Sequence, residues 1–174
     1  MDYDEPDVNP IPDFATWFNT IDKNLKRRPD QTVHVEPGRS LVAQCGSLIS
    51  EVLYVKKGEN RRFLMIDAGM NDLIRPALYG AYHGIENLSA HYQDADGRQS
   101  RVYDVVGPVC ESADTFGKER VLAKSVRGDK IAIRSAGAYG QVMASRYNMR
   151  PFAPSVYSDR LGEAPRRKDY FIGQ

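Results

Sequence analysis

Apolar side chains recur at helical spacing in one long stretch near the start of the chain. Between Asn9 and Arg28, Phe14, Trp17, Phe18, Ile21 and Leu25 fall on one face of a helix. Asp13 stands near its N-terminus, Lys26, Arg27 and Arg28 suit the negative end of the helix dipole, and Pro29 stops it. The next run, Thr32-Val33-His34-Val35, is β-branched and short, and predicts a buried strand that ends in Glu36-Pro37-Gly38-Arg39. A helix, a tight connection and a strand form one unit of an α/β layer, and one such strand cannot satisfy its own backbone groups. The neighbours that would complete this layer are therefore expected to be missing upstream.

Beyond Arg39 the texture changes. Leu41 to Val55 is a long apolar run with Val42, Leu48, Ile49, Val52 and Leu53; the turn Lys57-Gly58-Glu59-Asn60 and the run Phe63–Ile66 follow, which predicts a hairpin. Further strand-like runs are Val102–Val106, Ile131–Arg134 and Ser155–Tyr157. Asn71 to Tyr82 predicts a short helix with Pro76 in its first turns, and the polar stretch His91–Arg101 an exposed loop. Residues 39–174 thus read as a mainly β domain.

Composition narrows the function classes. The chain has 174 residues, 41% hydrophobic and 27% charged, with a mean hydropathy of -0.52, enough apolar content to build a core. Its formal net charge of +1 gives no overall basic field to attract nucleic acid or an anionic membrane. No run approaches the roughly 18 apolar residues of a membrane span, and the acidic start lacks the order of a signal peptide, so the expected compartment is the cytoplasm. Cys45 and Cys110 are too few for a disulfide framework, and neither they nor the histidines show metal-ligand spacing. His34, His83 and His91 receive no role.

Four blocks could carry chemistry. In Glu36-Pro37-Gly38-Arg39 a carboxylate precedes a fixed turn, a glycine whose N–H a ligand can approach, and a guanidinium suited to phosphate or carboxylate. The structural alternative is a Pro-Gly turn flanked by an ion pair. Arg75 and Tyr79, four apart, share a helical face and could hold one carboxylate, or simply pack cation over ring. Cys110 and Glu111 put a thiol beside a carboxylate in a turn-rich segment after a strand, an acid/base pair or an inert buried thiol; Cys45, inside an apolar run, reads as inert. Tyr139 sits among small residues in Ala136-Gly137-Ala138-Tyr139-Gly140, where a phenol could meet a phosphate oxygen or pack in a bulged strand.

In this order the segments VEPGRSLVAQCGSLI, DAGMNDLIRPALYGAYH, YDVVGPVCESADTFGK and AGAYGQVMASRYNMRP resemble the C-terminal part of the pyridoxal-phosphate-dependent diaminopimelate decarboxylases, within the wider ornithine and diaminopimelate decarboxylase family. They span residues 35–151, and Ile74–Tyr79 resembles the diaminopimelate branch in particular. The resemblance implies a fold of two domains assembled as a homodimer: a β/α barrel, of which residues 1–38 would be the last helix and strand, and a C-terminal β-sandwich or Greek-key barrel over residues 39–174. It implies that Glu36 pairs with the pyridinium nitrogen of pyridoxal phosphate, that Gly38, Arg39 and Tyr139 contact its phosphate, and that Arg39 also reaches the substrate. It implies that Arg75 and Tyr79 bind a carboxylate of meso-diaminopimelate. Cys110 would protonate the carbon that loses carbon dioxide, and Glu111 would read the distal amino group, both in the partner subunit's site. None of the eight lysines, Lys23, Lys26, Lys56, Lys57, Lys118, Lys124, Lys130 and Lys168, matches the family's Schiff-base position. The chain alone is therefore expected to be an inactive fragment of a lysine-forming decarboxylase. A decarboxylase of another basic amino acid, or a non-catalytic β binding module, stays open.

Overall fold

The computed structural model describes residues 13–93 and 99–160. The first helix, α1 (Phe14–Asn24), is capped by Asp13, whose side chain accepts a hydrogen bond from the Thr16 N–H at 3.1 Å. None of its residues is buried, and Phe14, Trp17 and Phe18 stack on one another at its exposed surface. Against the expected span Asn9–Arg28 the helix starts after its cap Asp13 and ends where the backbone becomes extended at Leu25; residues 9–12 lie outside the described part. Thr32–Val35 forms no strand: no neighbouring strand lies alongside to pair its backbone, and β-propensity alone cannot fix one.

Leu41–Cys45 corrects the expected strand as well. Gly38–Leu41 and Ala43–Cys45 make two 3-10 turns, begun by Gly38 at φ +58°, so Cys45 is exposed and not buried in a strand. The hairpin then follows as expected, β1 (Leu48–Lys57) antiparallel to β2 (Arg62–Ile66). The connection onward carries α2 (Arg75–Tyr79), β3 (Ile85–Asn87) and α3 (Leu88–Gln93) before β4 (Ser100–Val106), which lies parallel to β2. The expected polar loop His91–Arg101 is thus partly the end of α3 and the start of β4, and residues 94–98 lie outside the described part. Two strands complete the sheet, β5 (Thr115–Ala123) and β6 (Lys130–Ile133), whereas Ser155–Tyr157 pairs with nothing and is irregular.

The strand order is β3-β6-β1-β2-β4-β5. β1 changes partner midway: residues 48–51 pair with β6, and a bulge between Val52 and Tyr54 leads into the ladder with β2. This bend, with β3 and β5 packed against each other at the two ends, nearly closes the sheet into a barrel. The interior is filled by Val52, Leu64, Ile66, Leu73, Tyr103, Val105, Phe116, Leu122, Ile131 and Ile133. The mainly β fold read from the sequence is the fold observed, and it presents the four candidate blocks on loops, turns and the short helix α2 around the barrel.

Candidate functional site

The short helix α2 starts with Arg75 and ends at Gly80, whose φ of +60° lets its N–H close back on the Arg75 and Pro76 carbonyls. Arg75 is buried, and its guanidinium carbon lies 5.4 Å from the centre of the Tyr79 ring. The cation packs over the ring, which is the structural alternative, and Tyr79 is 62% exposed.

Arg75 does not stand alone. His83, fully buried, donates from Nδ1 to the Arg134 carbonyl oxygen at 2.9 Å, a tautomer fixed because a carbonyl can only accept. Burial holds the His83 pKa below its ordinary value; the hydrogen bond to Arg134 opposes this, and the charges of Arg75, Arg39 and Arg120 reinforce it. Three guanidiniums from separate segments therefore converge on one neutral imidazole. Half-buried Arg39 arrives on the first 3-10 turn, next to exposed Glu36 and to Gly38, where a Cβ would meet only open space.

Tyr139 is joined to the same segment. The Ala136 N–H donates to the Gly46 carbonyl at 2.8 Å and the Gly137 N–H to the Ala43 carbonyl at 2.9 Å. A Cβ on Gly137 would overlap the Val42 carbonyl oxygen, so only glycine lets these two backbones touch. Tyr139 itself is held at φ +60° and is 46% exposed. A cavity of about 460 Å³ lies beside this turn, walled by Cys45, Gly137, Gly140, Phe152 and Tyr157, and takes in none of the predicted side chains.

Cys110 and Glu111, both exposed, occupy the loop between β4 and β5. Neither side chain has a hydrogen-bond partner among the described residues. What fixes the loop is Asp114, 4% exposed, whose carboxylate accepts from the Val109 and Met70 N–H groups, each at 2.7 Å. Burial raises its pKa against those two bonds. The structure thus lets the charges of Arg39 and Arg75 both act on His83, ties Tyr139 to the Arg39 segment, and sets Cys110 and Glu111 on a separate loop.

Comparison with known proteins shows the family. Residues 3–137 match the family model for the pyridoxal-dependent decarboxylase C-terminal sheet domain. The chain belongs to this family. It is 53% identical to the diaminopimelate decarboxylase of Bacteroides thetaiotaomicron over 92% of this chain and 40% of that protein. The crystal structure of the Helicobacter pylori diaminopimelate decarboxylase complexed with L-lysine superimposes with a TM-score of 0.66 at 47% identity, over 82% of this chain and 33% of that one. A lysine decarboxylase from Selenomonas ruminantium, 22% identical with a TM-score of 0.72, shares the fold. The chain therefore spans 40% or less of these proteins' length.

His83, Arg120, Asp114 and Arg150 escaped sequence reasoning. A lone buried histidine or a charge in a strand carries no spacing signal, and only the folded chain shows what each one meets.

The His83 environment predicts a pH effect. Its pKa is lowered on folding, so the folded state binds the proton less readily than the unfolded chain, and stability falls as pH drops below about 6.5. Asp72 and Asp114, whose pKa values are raised, contribute slopes of the opposite sign at lower pH. His83→Asn keeps an N–H for the Arg134 carbonyl and removes the titration. Its Tm is predicted to fall less than the wild type's between about pH 7.5 and about pH 5.5; equal losses would assign the acid sensitivity elsewhere.

Proposed function

We propose that this chain is the C-terminal part of a diaminopimelate decarboxylase, a cytoplasmic homodimer that converts meso-diaminopimelate to L-lysine and carbon dioxide. The observation that carries this reading is the convergence of Arg39 and Arg75 on His83, with the phenols of Tyr79 and Tyr139 exposed. Guanidiniums beside phenols suit an anion, and the chain is 53% identical to an enzyme of that name. Residues 1–38 belong to the end of a barrel domain, supported by the unburied helix α1 and by the exposed apolar side chains Val33 and Val35. Residues 39–174 form the β domain.

The residues present fit pyridoxal phosphate on one side. Glu36 would face the ring nitrogen; the Gly38 backbone, Arg39 and Tyr139 would hold the phosphate. Among the described residues the seven lysines at 23, 26, 56, 57, 118, 124 and 130 are exposed, unlike the enclosed setting that lowers an amine's pKa, and Lys168 lies outside them; this supports an anchoring lysine in the barrel and a chain inactive alone. When bound, the cofactor supplies an electron-accepting ring for the carbanion left as carbon dioxide departs.

This chain's own side chains orient and protonate. Arg75 and Tyr79 take the carboxylate at the far end of the substrate. That carboxylate is absent from lysine or ornithine, so a guanidinium buried for it selects diaminopimelate. Glu111 accepts from the distal ammonium, and the Cys110 thiol delivers its proton to the carbon that has lost carbon dioxide. The barrel domain and partner subunit close the open face, excluding water and strengthening each of these contacts.

Two experiments test this in the longer enzyme. Arg75→Ala removes a charge-assisted contact of about 1.5–3 kcal/mol, so kcat/KM for meso-diaminopimelate should drop on the order of ten- to a hundredfold or more. Equal loss on a substrate without the distal carboxylate would make Arg75 structural. If Cys110 and Glu111 act across a two-fold interface, mixing a Cys110→Ala subunit with one lacking the barrel lysine restores one competent site per heterodimer. Activity should then recover to roughly a quarter of wild type. No recovery, with subunit exchange verified, would assign the thiol to its own subunit.

A further inference from the structure

The strand β5 is bent out of register beside the guanidinium cluster. Tyr103 of β4 is opposite Arg120, yet Val105 is opposite Gly117, so the β5 side carries an extra residue between the two pairs. Within this bulge Glu119 takes a φ of +54°, a left-handed conformation that a residue with a Cβ adopts only when something holds it there. Asp104 does so: 5% exposed, it accepts from the Glu119 N–H at 2.8 Å and is itself paired with Arg61 at 3.3 Å.

The bulge sets the direction of Arg120. Its guanidinium carbon lies 3.8 Å from the centre of the Tyr82 ring, close enough for full cation–π contact. Its Nε is buried without a hydrogen-bond partner, and a Cβ on Gly117 would run into that same nitrogen. Tyr82 in turn packs on Ala43 and Ala138, the buried residues of the Arg39 segment and the Tyr139 turn. The charge of Arg120 also reaches His83, alongside those of Arg39 and Arg75, and α2 packs against β5.

We propose that Arg120 is a positioning residue of the anion site: the β5 bulge turns it beneath Tyr82, where it braces the Arg39 and Tyr139 segments and adds a third positive charge behind Arg39 and Arg75. It touches no substrate. Its work is to hold the frame and raise the local potential at which the substrate's distal carboxylate is captured, which rests on the decarboxylase reading above.

Arg120→Gln and Arg120→Lys separate this from a purely structural role. In the longer enzyme, Arg120→Gln should raise KM for meso-diaminopimelate about three- to tenfold with kcat changed by less than about twofold, and Arg120→Lys, keeping the charge, should recover about half or more of that loss. In the 174-residue chain, NMR titration should move the His83 pKa upward in Arg120→Gln and leave it near the wild-type value in Arg120→Lys. An unchanged KM and an unmoved His83 titration in Arg120→Gln would overturn the proposal, as would equal damage by both substitutions. A wild-type long enzyme inert toward diaminopimelate, with the His83 titration still responding to Arg120, would instead overturn the functional reading and leave the electrostatic link standing.

Discussion

The placement of the candidate site depends on carboxylates that bind backbone N–H groups around the turn from Asp67 to Asp72. Asp114 is buried and Asp72 half-buried, and a carboxylate withdrawn from water is costly unless its oxygens are hydrogen-bonded, as these are; Asp67 is exposed. Asp67 accepts from the Ser50 hydroxyl and the Glu51 N–H, fixing the turn to β1. Asp72 accepts from the Gly69 N–H and from Asn71, closing the turn on itself. Asp114 reaches in from the Cys110 loop to the Met70 N–H. Arg150 donates to Asn71 and to the Asp67 carbonyl, while the Ser145 N–H donates to the Asn71 carbonyl. One turn thereby connects β1, the Cys110 loop and the C-terminal segment, and α2 with Arg75 and Tyr79 begins three residues beyond it.

The consequence is a division of labour across the domain. The barrel interior is apolar and supplies stability; the polar bonds at its rim supply position. The Cys110 and Glu111 side chains are exposed and make no hydrogen bond among the described residues, so their direction is inherited from the loop backbone that Asp114 holds. Arg39 and Tyr139 take theirs from the two backbone bonds between the Ala43–Gly46 and Ala136–Gly137 segments. The guanidiniums repel one another, and a neutral His83, backed by the Arg134 carbonyl, is the group that can lie among them without adding charge.

How much of this the sequence foretold follows from which signals are local. α1 was legible from its 3.6-residue spacing, and the β1–β2 hairpin from the Lys57–Asn60 turn. β5 was hidden, because the bulge and the run Lys118-Glu119-Arg120 break the alternation that would mark Phe116 and Leu122 as one face. Thr32–Val35 misled for the opposite reason, since a β-branched run forms a strand only against a neighbour. Cys45 was misjudged by extending β1 backwards through two 3-10 turns. The candidate residues came from the motifs and their family resemblance. The residues that hold them, Asp114, His83 and Arg120, gave no signal because their partners are distant in sequence: Met70 for Asp114, Arg134 for His83.

Amide hydrogen exchange at Met70 and Val109 tests the central role of the Asp114 carboxylate most directly. In the wild type both amides should be protected, and in Asp114→Ala both should lose protection, while core amides such as those of Leu64 and Ile131 keep theirs. Unchanged protection at Met70 and Val109 in Asp114→Ala would contradict the account, showing that the Cys110 loop is held to the turn by something other than this side chain.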